Sequence, residues 1–177
     1  MGMLNEWRAG RERRRRSATY LVALLQAPSP SDVEWLSRLS GNASTAAQEL
    51  MFARRAIGLI VAERDALDDR TASDVAHQLA DVVVREARDA PARGRAWAER
   101  WRAYTGALAV RGETDAPATR LARVLLAGAG LESPGADAMA RATLYVSSTR
   151  TQANEALRAV FGVASLPEDV RPSAIRL

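Results

Sequence analysis

An all-α fold is the class this sequence predicts: a single-domain bundle of about six to seven helices around a central apolar helix. Three observations predict it. Apolar residues recur at three- and four-residue spacing nearly everywhere. Alternating period-two runs are absent, and β-branched residues do not cluster except at Val82–Val84, inside a helical pattern. Helix start and stop signals follow one another closely, so short loops join the helices into a bundle.

The first helix is expected from about Leu4 to Ala27, with Leu4, Trp7, Ala18, Leu21 and Leu25 on one stripe that an arginine run interrupts. Pro28 and Pro30 end it. Ser31-Asp32-Val33-Glu34 reads as a capping box for a short second helix with Val33, Trp35, Leu36 and Leu39 inside. Gly41 and Asn42 close that helix. The third helix runs from about Thr45, with Gln48 at capping-box spacing, to Leu67. Leu50, Ala53, Ile57, Ile60 and Val61 line one of its faces, and Phe52, Ala56, Leu59 and Ala66 line much of another. A helix apolar on more than one side is buried, so residues 45–67 should be the centre of the domain.

Asp68-Asp69-Arg70 reads as a turn. Thr71 or Ser73 then caps a fourth helix to about Arg88, with Val75, Leu79, Val82 and Val83 inward. Pro91 and Gly94 break the chain before a fifth helix, about Arg95 to Val110, which Gly112 ends. Asp115 caps a sixth helix containing Leu121, Val124 and Leu125, stopped by Gly128 and Gly130. Ser133-Pro134 is a start signal for a long seventh helix reaching about Phe161, with Gly162 at its C-terminal cap. Residues 163–177 contain Pro167 and Pro172 and read as an extended arm. The domain organisation is thus a basic segment 1–20 leading the first helix, a helical domain 21–162 and the arm 163–177.

Composition excludes several chemistries. The 177 residues contain no cysteine, which removes disulfides, thiolate catalysis, Cys-ligated zinc and iron–sulfur clusters. All 25 basic residues are arginine, a pattern that codon bias in a GC-rich genome explains. Without lysine there is no Schiff base, phosphate-loop lysine or kinase strand lysine. No apolar run approaches a membrane span. Arg13–Arg16 followed by Ala18–Leu25 resembles an export signal only superficially, because its apolar part is short and meets Pro28. A cytoplasmic location is expected, peripheral to a membrane or to a large assembly. No cofactor and no metal site are expected.

The net charge of +4 sits in the first twenty residues. Arg8, Arg11, Arg13, Arg14, Arg15 and Arg16 face only Glu6 and Glu12 there, and the rest of the chain carries nineteen residues of each sign. Adjacent helical residues point about 100° apart, so Arg13–Arg16 surround the helix and cannot form one flat patch. They suit a protruding turn or flexible arm that folding does not need. Nucleic-acid phosphates, anionic lipid headgroups or an acidic protein surface would each satisfy them. The plain alternative is a solvated helix face.

Four further features each have an ordinary structural reading beside a functional one. Trp97, Trp101, Tyr104 and Leu108 share one helix face with Arg100 beside it, which fits core packing first and a protein-interaction face second. His77, with Asp74 and Asp81 at helical spacing, reads as a surface histidine rather than a metal site or general base. Ser147, Ser148, Thr149, Thr151, Gln152 and Asn154 give the seventh helix a polar stretch of poor helix formers. Arg54 and Arg55 lie on the central helix and need acidic partners, as do Glu49 and Glu63 in the opposite sense.

No catalytic motif appears. The leading expectation is a non-enzymatic interaction or assembly subunit, held to a larger protein complex or to copies of itself through its basic N-terminus and terminal arm. A helical nucleic-acid-binding protein comes second, and a peripheral protein on anionic lipid, with Leu4 and Trp7 at its apolar edge, comes third.

Overall fold

A computed structural model of the chain describes residues 2–65, 69–109 and 114–162. Among these residues it contains seven α-helices and no strand: α1 (Gly2–Leu24), α2 (Pro30–Ser40), α3 (Ala43–Asp65), α4 (Asp69–Asp89), α5 (Pro91–Ala109), α6 (Pro117–Gly128) and α7 (Ala136–Phe161). The expected arm, the ends of the third and fifth helices at Leu67 and Val110, and Gly112 lie outside the described residues.

The centre is the helix the sequence points to. Ala46, Leu50, Phe52, Ala53, Ala56, Ile57, Leu59, Val61 and Ala62 of α3 are all buried. Every other helix touches α3. Five of them close a ring around it in the spatial order α1, α4, α5, α6, α7 and back to α1, while α2 packs mainly on α3 and also meets Arg141 of α7, which pairs with Asp32 at 3.3 Å and lies over the Trp35 ring. The ring follows chain order, and α1 closes it by lying between α4 and α7.

Polar side chains in the buried length of α3 need partners from the helices around it. Arg55 is buried and donates two hydrogen bonds to Glu86 of α4, at 2.8 and 2.7 Å. Glu49 is buried and accepts from Arg100 Nε of α5 at 2.6 Å; Arg100 also reaches the Gly128 carbonyl of α6 at 3.2 Å. Two tyrosines add backbone contacts. Tyr20 of α1 donates to the Gly58 carbonyl at 2.8 Å, and Tyr145 of α7 donates to the Leu50 carbonyl at 3.0 Å. Burial pushes the Tyr145 phenol up to about 12 and raises that of Tyr20 as well. Both therefore remain donors at neutral pH.

Several helix boundaries move from their expected places, each for a local reason. The cap of α2 is Ser29, whose hydroxyl accepts from the Asp32 amide at 3.1 Å. Pro30 then fills the first turn, where its missing N–H costs nothing, so Ser31 is not the cap. Asn42 opens α3 rather than closing α2, by accepting from the Thr45 amide at 3.0 Å. Gly41, with φ of +71°, is the residue that ends α2. Pro91 starts α5 instead of breaking the chain, and Gly94 lies inside that helix. Ala116 precedes α6 without a side-chain cap, and Asp115 instead pairs with Arg123. Gly135 precedes α7, two residues after the expected Ser133. Asp69 and Arg70 belong to α4 and not to a turn.

Two consequences are measurable. Glu86→Ala leaves a buried guanidinium without its carboxylate and should cost about 3–5 kcal/mol in urea denaturation, whereas Arg55→Met with Glu86→Leu should recover most of the loss. The hydrogen bonds from Arg55 hold the Glu86 carboxyl below its ordinary value of 4.5. Its contribution is therefore full above that value and lost as pH falls through the folded-state value, and Glu86→Gln should flatten this acid limb. Secondly, a Cβ on Gly128 would overlap the Glu49 carboxylate and the Arg100 guanidinium. Gly128→Ala should lower stability by about 1–3 kcal/mol although alanine is the better helix former.

Candidate interaction face on the first helix

The buried side of α1 runs through Ser17, Tyr20, Leu21 and Leu24, with Gly10 and Arg13 half-buried on the same side. This is not the stripe expected from Trp7, Ala18, Leu21 and Leu25. Trp7 is 59% exposed, Ala18 is exposed and Leu25 is only partly buried. The side chain of Leu4 lies outside the described residues. Ser17 is small and fully buried on this side, and α4 packs along α1 through Asp74 and Gln78, which reach Arg13 and Arg14.

The arginine run is consequently built into the ring and is not a free arm. Arg13 Nε donates to Asp74 of α4 at 2.8 Å, both side chains being about three-quarters buried. Gln78 of α4 donates to the Arg14 carbonyl at 3.2 Å. Arg15 and Arg16 both converge on Glu12, through Nε at 3.0 Å in each case. They hold the Glu12 carboxyl down at about 2. Arg11 stacks on the Trp7 ring with its guanidinium carbon 4.6 Å from the centroid. Arg8 and Arg14 make no ion pair among the described residues.

The outward side of α1 therefore has a defined composition. Helical spacing puts Trp7, Arg11, Arg14, Ala18 and Val22 on one line, and every one of them is exposed, Val22 by 63%. Arg8 and Arg15 flank that line. The stripe is apolar at both ends and cationic in the middle.

The other sequence candidates fall elsewhere. Trp97 and Tyr104 are buried, and Trp101 is half-buried against them, so the expected interaction face of α5 is core. Trp97 sits 5.7 Å from Phe52 in a tilted pair and 6.2 Å from Trp101 in a stacked one. Arg100 is committed to Glu49. The Tyr104 hydroxyl has no hydrogen-bond partner among the described residues, and burial together with the Glu49 carboxylate raises its pKa well above the ordinary value. His77 is exposed and its Nδ1 lies 2.8 Å from the Ser73 carbonyl, while Asp74 turns away to Arg13. The polar stretch of α7 divides by direction. Thr149 is buried and hydrogen-bonds Tyr145; Gln152 joins Ser148 to Arg54; Ser147, Thr151 and Asn154 line a cavity. No described helix is long and apolar enough to cross a membrane.

No protein-family model, curated protein or solved structure matches this chain.

The arginines should separate into two groups by stability. Asp74→Asn, which breaks the half-buried pair with Arg13, should cost about 1 kcal/mol. Arg8→Ala and Arg14→Ala should stay within about 0.5 kcal/mol of the parent. Urea denaturation of the three variants checks the division.

Proposed function

We propose that the protein is a non-enzymatic interaction subunit that docks on an acidic face of a larger protein through the outward side of α1. The observation that carries this reading is the exposed stripe Trp7, Arg11, Arg14, Ala18 and Val22 on a helix whose opposite side is locked into the bundle. Tryptophan and arginine are the residue types that dominate the energetic centres of protein interfaces. Arg11 against the Trp7 ring pre-orders both side chains and lowers the entropy lost on binding.

Charge accounting favours a protein over a polyanion. Arg13 is neutralised by Asp74, and Arg15 and Arg16 share Glu12. That leaves a short cationic centre between two apolar ends, which fits a folded acidic surface with apolar pockets better than a uniform line of phosphates.

A photo-crosslinking side chain at Val22, introduced in the cell of origin, should capture one protein through an acidic segment. Trp7→Ala should weaken that complex by about 2 kcal/mol, and Arg11→Glu with Arg14→Glu should abolish it, without loss of helicity. Binding to duplex or single-stranded nucleic acid, or to anionic vesicles, that the same charge reversal abolishes would overturn the reading, as would a complex indifferent to all three substitutions.

A further inference from the structure

Arg54 on the central helix is partnered unlike the other arginines of the bundle interior. Arg13, Arg55 and Arg100 each reach a carboxylate. Arg54 is half-buried and reaches two neutral amide oxygens instead, Gln26 Oε1 just after α1 at 3.3 Å and Gln152 Oε1 of α7 at 2.7 Å. Gln152 is itself oriented, because its Nε2 donates to Ser148 Oγ at 3.3 Å. These bonds fix the direction of the guanidinium and leave its charge without an ion pair among the described residues. It lines a cavity of about 430 Å³ between α1, α3 and α7, walled by Ala23, Ala153, Ala156 and Ala159. Among the described residues that lining contains one acid, Glu155, which is exposed and makes neither an ion pair nor a side-chain hydrogen bond.

We propose that this cavity binds a small zwitterion, an α-amino acid with an apolar side chain, its carboxylate at Arg54, its ammonium at Glu155 and its side chain against the alanines. The volume lies in the range of small-ligand sites, whose usual make-up is apolar walls with a few converging polar groups. A guanidinium carries more N–H donors than the two amides occupy, and it presents them in a fork that matches a carboxylate. The lining also sets the class of ligand. An anion alone would meet Glu155 and a cation alone would meet Arg54, whereas a molecule with both charges answers both. The spacing agrees. Gln152, which holds Arg54, and Glu155 are three residues apart on one side of α7, about 5–6 Å between Cβ atoms. Two head groups on a single carbon, with a hydrogen bond of about 3 Å at each end, cover that distance. Arg54 is the deeper of the two charges and supplies most of the selectivity, because an exposed pair contributes little.

The test titrates the full chain with three probes of the same tail, followed by heteronuclear NMR: leucine, isocaproate, which lacks the ammonium, and isoamylamine, which lacks the carboxylate. Leucine should bind at one site and shift the amides of Gln152 to Ala156. It should bind about tenfold more tightly than isoamylamine and about threefold more tightly than isocaproate. Arg54→Gln should remove the first preference, and Glu155→Gln, a substitution at an exposed position, should remove the second. No leucine binding by the parent, equal affinity for the three probes, or a preference that survives in its own variant would each overturn the proposal. If Arg54→Gln fails to fold, the Glu155→Gln comparison decides alone.

Discussion

Enclosure of α3 is the constraint on which the rest of the molecule depends. α3 meets solvent mainly at its two ends, where Ser44, Glu63 and Arg64 are exposed, yet it carries Glu49 and Arg55 in its buried length. An unpaired buried charge costs several kcal/mol, a large part of the total stability of a domain. The neighbours are accordingly fixed in angle as well as distance. Glu86 must bring α4 to Arg55, and Arg100 must bring α5 to Glu49. Tyr20 and Tyr145 do the same for α1 and α7 by bonding to α3 carbonyls. Hydrophobic burial would permit many packings of six apolar stripes on a seventh helix. Four directional contacts to one helix restrict the number sharply.

The same constraint explains why the first helix holds both the basic residues and the outward stripe. The ring around α3 needs a member between α4 and α7, and α1 fills that place. Its inward side is specified by Tyr20, Leu21 and Leu24, and by the pairing of Arg13 with Asp74. Once those contacts are made, helical geometry leaves Trp7, Arg11, Arg14 and Val22 outside together. The charge excess of the N-terminus is thus divided between a structural use and a surface that nothing in the bundle covers.

The class of fold, the number of helices and the identity of the central one are readable from the chain because they rest on local signals: periodic apolar residues, caps, prolines and glycines. The burial of Trp97 and Tyr104 is legible for the same reason, since large aromatics at helical spacing in a chain of small residues have pockets to fill. The inward side of α1 is not legible. Gly10, Arg13 and Ser17 carry no apolar signal, and the partner that buries Arg13 is sixty-one residues away. The capping shifts at Ser29, Asn42 and Gly135 have a related origin, because adjacent Ser, Asn, Gly and Pro residues offer competing start sites that sequence spacing alone does not rank. The cavity beside α6 is equally hidden. Ser147, Thr151 and Asn154 stand out as polar, but their shared direction toward Asp65 and Leu121 exists only after α3, α6 and α7 are assembled.

Native-state hydrogen exchange tests the central claim most directly, because it reads the stability of each helix separately. Amides of Leu50 to Leu59 in α3 should exchange only through global unfolding, with a free energy equal to that from denaturant titration. Amides near Arg8 and Arg11, which lie in the half of α1 away from the Tyr20 bond to Gly58, should exchange through local opening at lower energy. If the α3 amides instead exchange at energies as low as those of the start of α1, the bundle is not organised around that helix and the account fails.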